Sequence, residues 1–331
     1  MKIAGPVRLF LIACIAGCAT PAAAQSQTPV PKSGYPDKSI RLLVGVPPGG
    51  STDITARIVA GKLSEALGQQ IVIDNRGGAG GIIAGEIVAR AAPDGYTLLF
   101  PYAAHVSTPF LYKNIPYDAA ASFTAITQVA TQPVLLVATA SLPANSVKEL
   151  IAYAKANPGK LSIGISSAGG SGHIASEHFK QLTGTQITSI IYKGAGPAVV
   201  ALMSGEVQLA FSATSGTMPF IKQGKIKALA TGTKQRLPYL PDIPTLDEAG
   251  LKGIEAAAWQ GLLGPAGLPR PIVNRLYTEV ANVLRLPEVR ERLAATGTDP
   301  VGSTPEEFAA EIRRQLDLLG KVIRAAGMKA Q

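Results

Sequence analysis

The chain predicts an α/β fold of two lobes with a cleft between them, and three observations carry that expectation. Short β-branched runs alternate with helical periodicity through most of its length. Two glycine-rich strand-to-helix loops, at 47–53 and 166–173, lie about 120 residues apart, so each can sit in its own lobe. About three hundred residues follow a short leader, too many for one small core and enough for two α/β domains.

The elements follow in order. Lys2 and Arg8 flank an apolar run over 9–16, and Ala22, Ala23 and Ala24 precede Gln25. That order marks 1–24 as a secretory signal peptide, too short to span a bilayer, and directs the chain to the periplasm. Both cysteines, Cys14 and Cys18, fall inside it, so cleavage after Ala24 leaves no disulfide, thiolate metal site or cysteine nucleophile. Ile15-Ala16-Gly17-Cys18 resembles a lipobox, which makes a lipid anchor at Cys18 the alternative processing. Residues 25–34 read as a flexible lead-in. No later segment reaches 18 continuous apolar residues, so the mature chain is expected to be soluble.

A first strand over 40–46 ends at Pro47-Pro48-Gly49-Gly50. Ser51 or Thr52 then caps a helix with Ile54, Ile58, Val59, Leu63 and Leu67 on one face, stopped by Gly68. A strand over 71–73, a glycine loop over 76–81, a helix to Ala92 and a strand over 96–100 follow. Ser146 to Glu149 forms a capping box, a strand occupies 161–165, and a helix runs to about Leu182. Further short strands are expected over 187–192, 207–211 and 228–231. Beyond Gly264 the pattern is helical, over 271–284, 287–295 and 305–326, with a second capping box at Thr304 and Glu307. The lobes are placed at 35–132 and 133–256, with 257–331 returning to the first.

Glycine lets backbone N–H groups approach a ligand directly, and the following helix start offers unpaired donors with partial positive charge. Neither loop contains a cation, so together they form a neutral anion grip, suited to a carboxylate bound at about −8 kcal/mol, a micromolar affinity. Other chemistries fare worse. Ile83 stands where a dinucleotide fingerprint wants its third glycine, and no GxxxxGK[ST] loop occurs. The three histidines are His105, His173 and His178; His173 and Glu177 share a helix face, yet no nucleophile elbow is present, so no enzyme and no cofactor is expected. Trp259 reads as core or hinge packing more than as a ligand platform. The net charge of +9 is scattered with no basic run of three, and aromatics are 5%, which argues against nucleic acid.

Taken together, certain motifs resemble the Bug-type, or tripartite tricarboxylate transporter, substrate-binding receptors. They are Tyr35-Pro36-Asp37-Lys38-Ser39-Ile40-Arg41, Pro47-Pro48-Gly49-Gly50-Ser51-Thr52-Asp53, Asp74-Asn75-Arg76 with Gly78-Ala79-Gly80-Gly81, and Ala92-Pro93-Asp94-Gly95-Tyr96-Thr97-Leu98. To these add Leu111-Tyr112, Pro116-Tyr117-Asp118, Tyr192-Lys193-Gly194, Leu240-Pro241-Asp242-Ile243-Pro244-Thr245, Trp259 through Gly267, and Thr304-Pro305-Glu306-Glu307-Phe308. The resemblance implies a two-lobed periplasmic-binding-protein fold, type II-like, with ligand in the interdomain cleft. It further implies a monomeric feeder of a small organic acid to the membrane subunits of a tripartite tricarboxylate-type secondary transporter.

By position it places the first-lobe grip at Gly49, Gly50, Ser51, Thr52 and Asp53, and the second-lobe grip at Ser167, Gly169, Gly170, Ser171 and His173. Asp53 either fixes water or a ligand amine, or caps its helix. Two departures occur: Ser212-Ala213 stands where the family continues with Asp-Asn, and Pro101-Tyr102-Ala103-Ala104 replaces a Gly/Ser/Thr-rich stretch. With Tyr102, Ala103 and Ser212 in the pocket, the expected ligand is a carboxylate without an amine, with room for an apolar or aromatic body. A ligand-dependent sensory or partner-binding role, and an exported α/β hydrolase, are the alternative readings.

Overall fold

The computed structural model describes Met1 and residues 34–166, 169–192, 194–254 and 256–325. The leader with Cys14 and Cys18, nearly all of the lead-in, and Ser167 lie outside the described residues. The elements are β1 (Ile40–Val44), α1 (Ser51–Leu67), β2 (Ile71–Asn75), α2 (Ile82–Ala89), β3 (Thr97–Phe100) and α3 (Ala104–Leu111), then β4 (Phe123–Thr139). Next come α4 (Val147–Ala156), β5 (Leu161–Ile165), α5 (Ser171–Thr183), β6 (Ile187–Ile191), α6 (Ala195–Ser204), β7 (Leu209–Ala213), α7 (Thr214–Lys222) and β8 (Ile226–Thr231). The chain finishes with β9 (Ala257–Pro265), α8 (Arg270–Val283), α9 (Pro287–Ala295), β10 (Asp299–Pro300) and α10 (Pro305–Ala325).

The sheet has one order repeated twice. Lobe 1 reads β2-β1-β3-β9-β4, and lobe 2 reads β6-β5-β7-β4-β8. In each lobe three parallel strands are followed by one antiparallel strand that arrives from the other lobe. That strand is β9 in lobe 1 and the second half of β4 in lobe 2. β4 pairs with β9 as far as Pro133 opposite Ala257, and from Val134 onward pairs with β7 and β8. Pro133 lacks an N–H and so fits the point where the ladder changes partner.

Helices cover both faces of each sheet half. In lobe 1, Ile58, Leu63, Leu276 and Val280 line one core, and Ala84, Val88, Phe308 and Ile312 line the other. In lobe 2, Leu150 and Phe179 lie on one side, with Val199 and Leu202 on the other. The capping box at Thr304 closes in both directions, whereas at Ser146 the Glu149 carboxylate accepts from Asn145 N, one residue earlier, at 2.8 Å. The Ser146 hydroxyl accepts from Glu149 N at 3.2 Å, and Thr304 and Glu307 exchange bonds of 2.8 and 3.2 Å. The two hinge strands were not anticipated from the sequence. Pro133 interrupts β4, while Gly261 and Gly264 thin β9, where an added Cβ would meet Phe308 Cζ at 2.3 Å and Leu268 Cδ2 at 2.6 Å.

Candidate functional site: two matched loops and an interlobe cavity

The loops after β1 and β5 are built alike. Gly49 and Gly169 take left-handed φ values of 87° and 73°, which glycine adopts without a Cβ penalty. Gly50 and Gly170 are extended N-caps, at φ −75°, ψ 163° and φ −70°, ψ 166°. Each loop is then closed by the third helical residue. Asp53 Oδ2 accepts from Gly49 N at 2.9 Å, and His173 Nδ1 accepts from Gly169 N at 3.0 Å. The same backbone turn is thus fastened by a carboxylate in lobe 1 and by an imidazole in lobe 2.

Asp53 is 2% exposed and fully engaged: Oδ2 also accepts from Arg57 Nε at 3.0 Å, and Oδ1 from Asn75 Nδ2 at 2.9 Å. Burial alone would push its carboxyl up, but the bonds from Arg57, Gly49 N and Asn75 hold it below the usual carboxylate range. Asn75 adds a bond to Val46 O at 3.0 Å and so ties β2 to the first loop. The 76–81 stretch is a buttress for that loop: a Cβ on Gly77 would lie 2.9 Å from Pro47 N, and one on Gly45 would lie 2.8 Å from Gly81 Cα. The Tyr102 ring sits against the same two glycines, with Cε1 at 3.7 and 3.4 Å from the Cβ positions of Gly45 and Gly81.

His173 accepts through Nδ1, so its proton is on Nε2, 3.8 Å from Glu177 Oε1. Burial lowers its pKa, and Lys180 lowers it further against the opposing pull of Glu177, so the ring is neutral at pH 7. Glu177 is bonded to Lys180 and Ser189, each at 2.7 Å. His105 is elsewhere: its Nε2 bonds to Ala119 O at 2.8 Å beneath α3, and burial lowers its pKa to about 4. No cluster of three potential metal ligands occurs among the described residues.

A cavity of about 430 Å³ lies between the lobes, within the size range of small-molecule sites. Lobe 2 contributes Gly169, Ser171 and Ile174 at the start of α5, with Thr233 and Lys234 beyond β8. The hinge strands contribute Gln128, Thr131 and Trp259, α3 contributes Ser107, and α10 contributes Glu311, Arg314, Gln315, Leu318 and Leu319. A hydrogen-bond chain runs along this wall. Trp259 Nε1 donates to Gln315 Oε1 at 2.7 Å, and Gln315 Nε2 to Glu311 Oε1 at 2.6 Å. Arg314 then clasps both Glu311 oxygens at 2.8 and 2.7 Å.

Of the residues singled out in the sequence, Ala103, Gly169 and Ser171 line the cavity. Gly170 and His173 stand beside it in the same turn, and Ser212 lies at the end of β7, paired with Leu135 of β4. Gly49, Gly50 and Ser51 are exposed, Thr52 and Asp53 are buried, and these five with Tyr102 are outside the cavity lining. The α10 wall and Lys234 had no signature, since their spacing reads as a solvated helix face and a loop cation.

Two α/β lobes that exchange a pair of strands around a ligand-sized cavity define a periplasmic solute-binding fold. The chain matches the model of the tripartite tricarboxylate transporter family receptor over residues 55–328, and it belongs to that family. It is 35% identical over 306 residues to protein BugT of Bordetella pertussis, covering 91% of this chain and 93% of that one. Among solved structures, Rhodopseudomonas palustris Rpa4515 with adipate has a TM-score of 0.76 and 37% identity, covering 90% of this chain and all 100% of the other. MatC from the same organism, with bound malate, has a TM-score of 0.71 and 31% identity, at 87% and 100% coverage. The family is one of periplasmic binding receptors, and its fold is the one described above.

Proposed function

We propose that this chain is an exported receptor that binds a small, amine-free carboxylate between its lobes and delivers it to a tripartite tricarboxylate-type membrane transporter. The carrying observation is the interlobe cavity, where the glycine-rich start of α5 presents backbone donors to a chamber floored by Ile174, Trp259, Leu318 and Leu319. The acids on its wall are already engaged: Glu311 by Arg314 and Gln315, and Glu307 by Thr304 N at 2.8 Å. An ammonium group would therefore compete with existing partners, whereas a carboxylate can take the first-turn N–H groups of α5, which a helix start leaves without intrahelical acceptors. The adipate and malate bound by the two structural relatives support the ligand class.

The leader at 1–24 is the export signal in this reading, with Cys18 as the site of lipid attachment should processing occur there. The mature receptor works as a monomer, binds and releases without turnover, and meets the membrane subunits when closed. The test is native mass spectrometry of the purified protein, followed by thermal-shift screening of mono-, di- and tricarboxylates. A bound organic-acid mass, and a stabilisation of about 2.7 kcal/mol at a hundredfold excess over Kd, are expected. No bound mass and no shift across all three classes would overturn the uptake role and favour a protein-partner role.

A further inference from the structure

We propose that the C-terminal half of α10 is an interlobe latch that positions the second-lobe loop, with Val322 and Ile323, which lie outside the cavity lining, holding Ile174 and Leu111 in place. The helix has two attachments. Its first half belongs to lobe 1, where Phe308 and Ile312 pack with Leu43, Leu99, Trp259 and Leu263. Its second half reaches lobe 2, where Val322 and Ile323, 4% and 1% exposed, close over Ile174 of α5.

Ile174 is three residues beyond Ser171, in the first turn of the helix whose start lines the cavity. The junction is tight on every side. A Cβ on Gly320 of α10 would lie 2.9 Å from Phe110 Cε1, so α10 and α3 approach at that glycine. A Cβ on Gly169 would lie 2.2 Å from Leu111 Cδ1, so the last turn of α3 rests directly on the second-lobe loop. Separating the lobes must therefore withdraw Ile174 from α10 and Gly169 from Leu111 together.

The first lobe supplies the control. Ile54 occupies in α1 the position that Ile174 occupies in α5, and it is 37% exposed, against 7% for Ile174. The motif itself does not require a covered isoleucine at this position; the cover on Ile174 is a property of α10. Removing a contact that must break when the lobes separate speeds opening, and so acts on ligand release more than on capture.

The inference rests on the binding reading above, and its test separates the two. Small-angle scattering of the ligand-free full chain would compare wild type with Val322→Ala, Ile323→Ala and the conservative Ile323→Val, all at positions outside the cavity lining. Both alanine variants are expected to show a larger radius of gyration, with Ile323→Val at the wild-type value. With adipate as probe, the alanine variants should dissociate about tenfold faster, with association unchanged within about twofold. Superimposable scattering curves for folded alanine variants would overturn the latch. Absence of adipate, malate and citrate binding by wild type would instead count against the carboxylate reading, leaving scattering to decide the latch.

Discussion

The two glycine loops share a backbone and differ in what lies above and below it. At the start of α1, nothing lies within 4 Å of a Cβ built on Gly49, and Gly49, Gly50 and Ser51 are exposed. At the start of α5, Leu111 crowds Gly169, α10 covers Ile174, and the loop lines the cavity. The fastening also differs: a buried carboxylate held by three donors in lobe 1, a neutral histidine in lobe 2. One turn geometry thus serves as a firmly braced, solvent-facing edge in one lobe and as a roofed, more lightly fastened edge in the other. Motif identity sets the backbone, and its neighbours set its use.

The largest separation of the loops should come from alanine at their left-handed glycines. Gly169→Ala combines about 1–2 kcal/mol of backbone strain with a collision against Leu111, and calorimetry should show carboxylate affinity falling roughly thirtyfold or more. Gly49→Ala carries the strain alone, and its loss should stay near or below about tenfold. Equal losses would erase the distinction.

Stability should rank the loops the other way. Asp53→Ala removes the shared acceptor of Gly49 N, Asn75 and Arg57, and denaturant melts should show a loss of about 2 kcal/mol, the scale of hydrogen bonds to a charged group. His173→Ala removes one neutral acceptor, and a loss of about 1 kcal/mol is expected in the same melts.

The smallest effect, and the most selective, is pH. The depressed pKa of His173 favours its neutral form in the fold. Its contribution is therefore full above the ordinary histidine value and declines as pH falls through the depressed one. Protonation at Nδ1 also ends its bond from Gly169 N. Affinity should drop in wild type as pH falls below the ordinary histidine value, and His173→Gln should flatten that slope. Asp53, whose depressed pKa keeps it ionised, contributes fully above the ordinary aspartate value and fails only as pH falls through its lowered one. The first loop should therefore be silent in that window. His105 destabilises both proteins equally toward its pKa of about 4, so the comparison must be made as a difference.

Much of this arrangement was legible because it is local. Glycines before a helix start, capping boxes, and strands followed by turn residues each declare themselves within a few positions. The two hinge strands were not legible as elements. β4 reads as two unrelated pieces: a stretch with Thr124, Gln128 and Thr131 interspersed, then an apolar run, broken by Pro133 at the junction. Only the pairing with a strand more than a hundred residues away makes it one element. The α10 wall was hidden for a related reason. Glu311, Arg314 and Gln315 look like a solvated helix face, and their role depends on Trp259 standing opposite. Asp53 reads in sequence as a ligand contact or a helix cap, and its bonds show it clasping its own loop.

The strand exchange also sets an order of assembly. All strands of lobe 2 have been synthesised once β8 is complete, by Thr231. Lobe 1 at that moment lacks β9, β10 and all three C-terminal helices, because its sheet closes only when Phe123 finds Pro265. A chain emerging amino end first on the far side of the membrane can therefore complete its middle before its beginning, since the contacts that finish lobe 1 are the most distant in sequence. The part of the receptor made first is the part that must wait longest to be built.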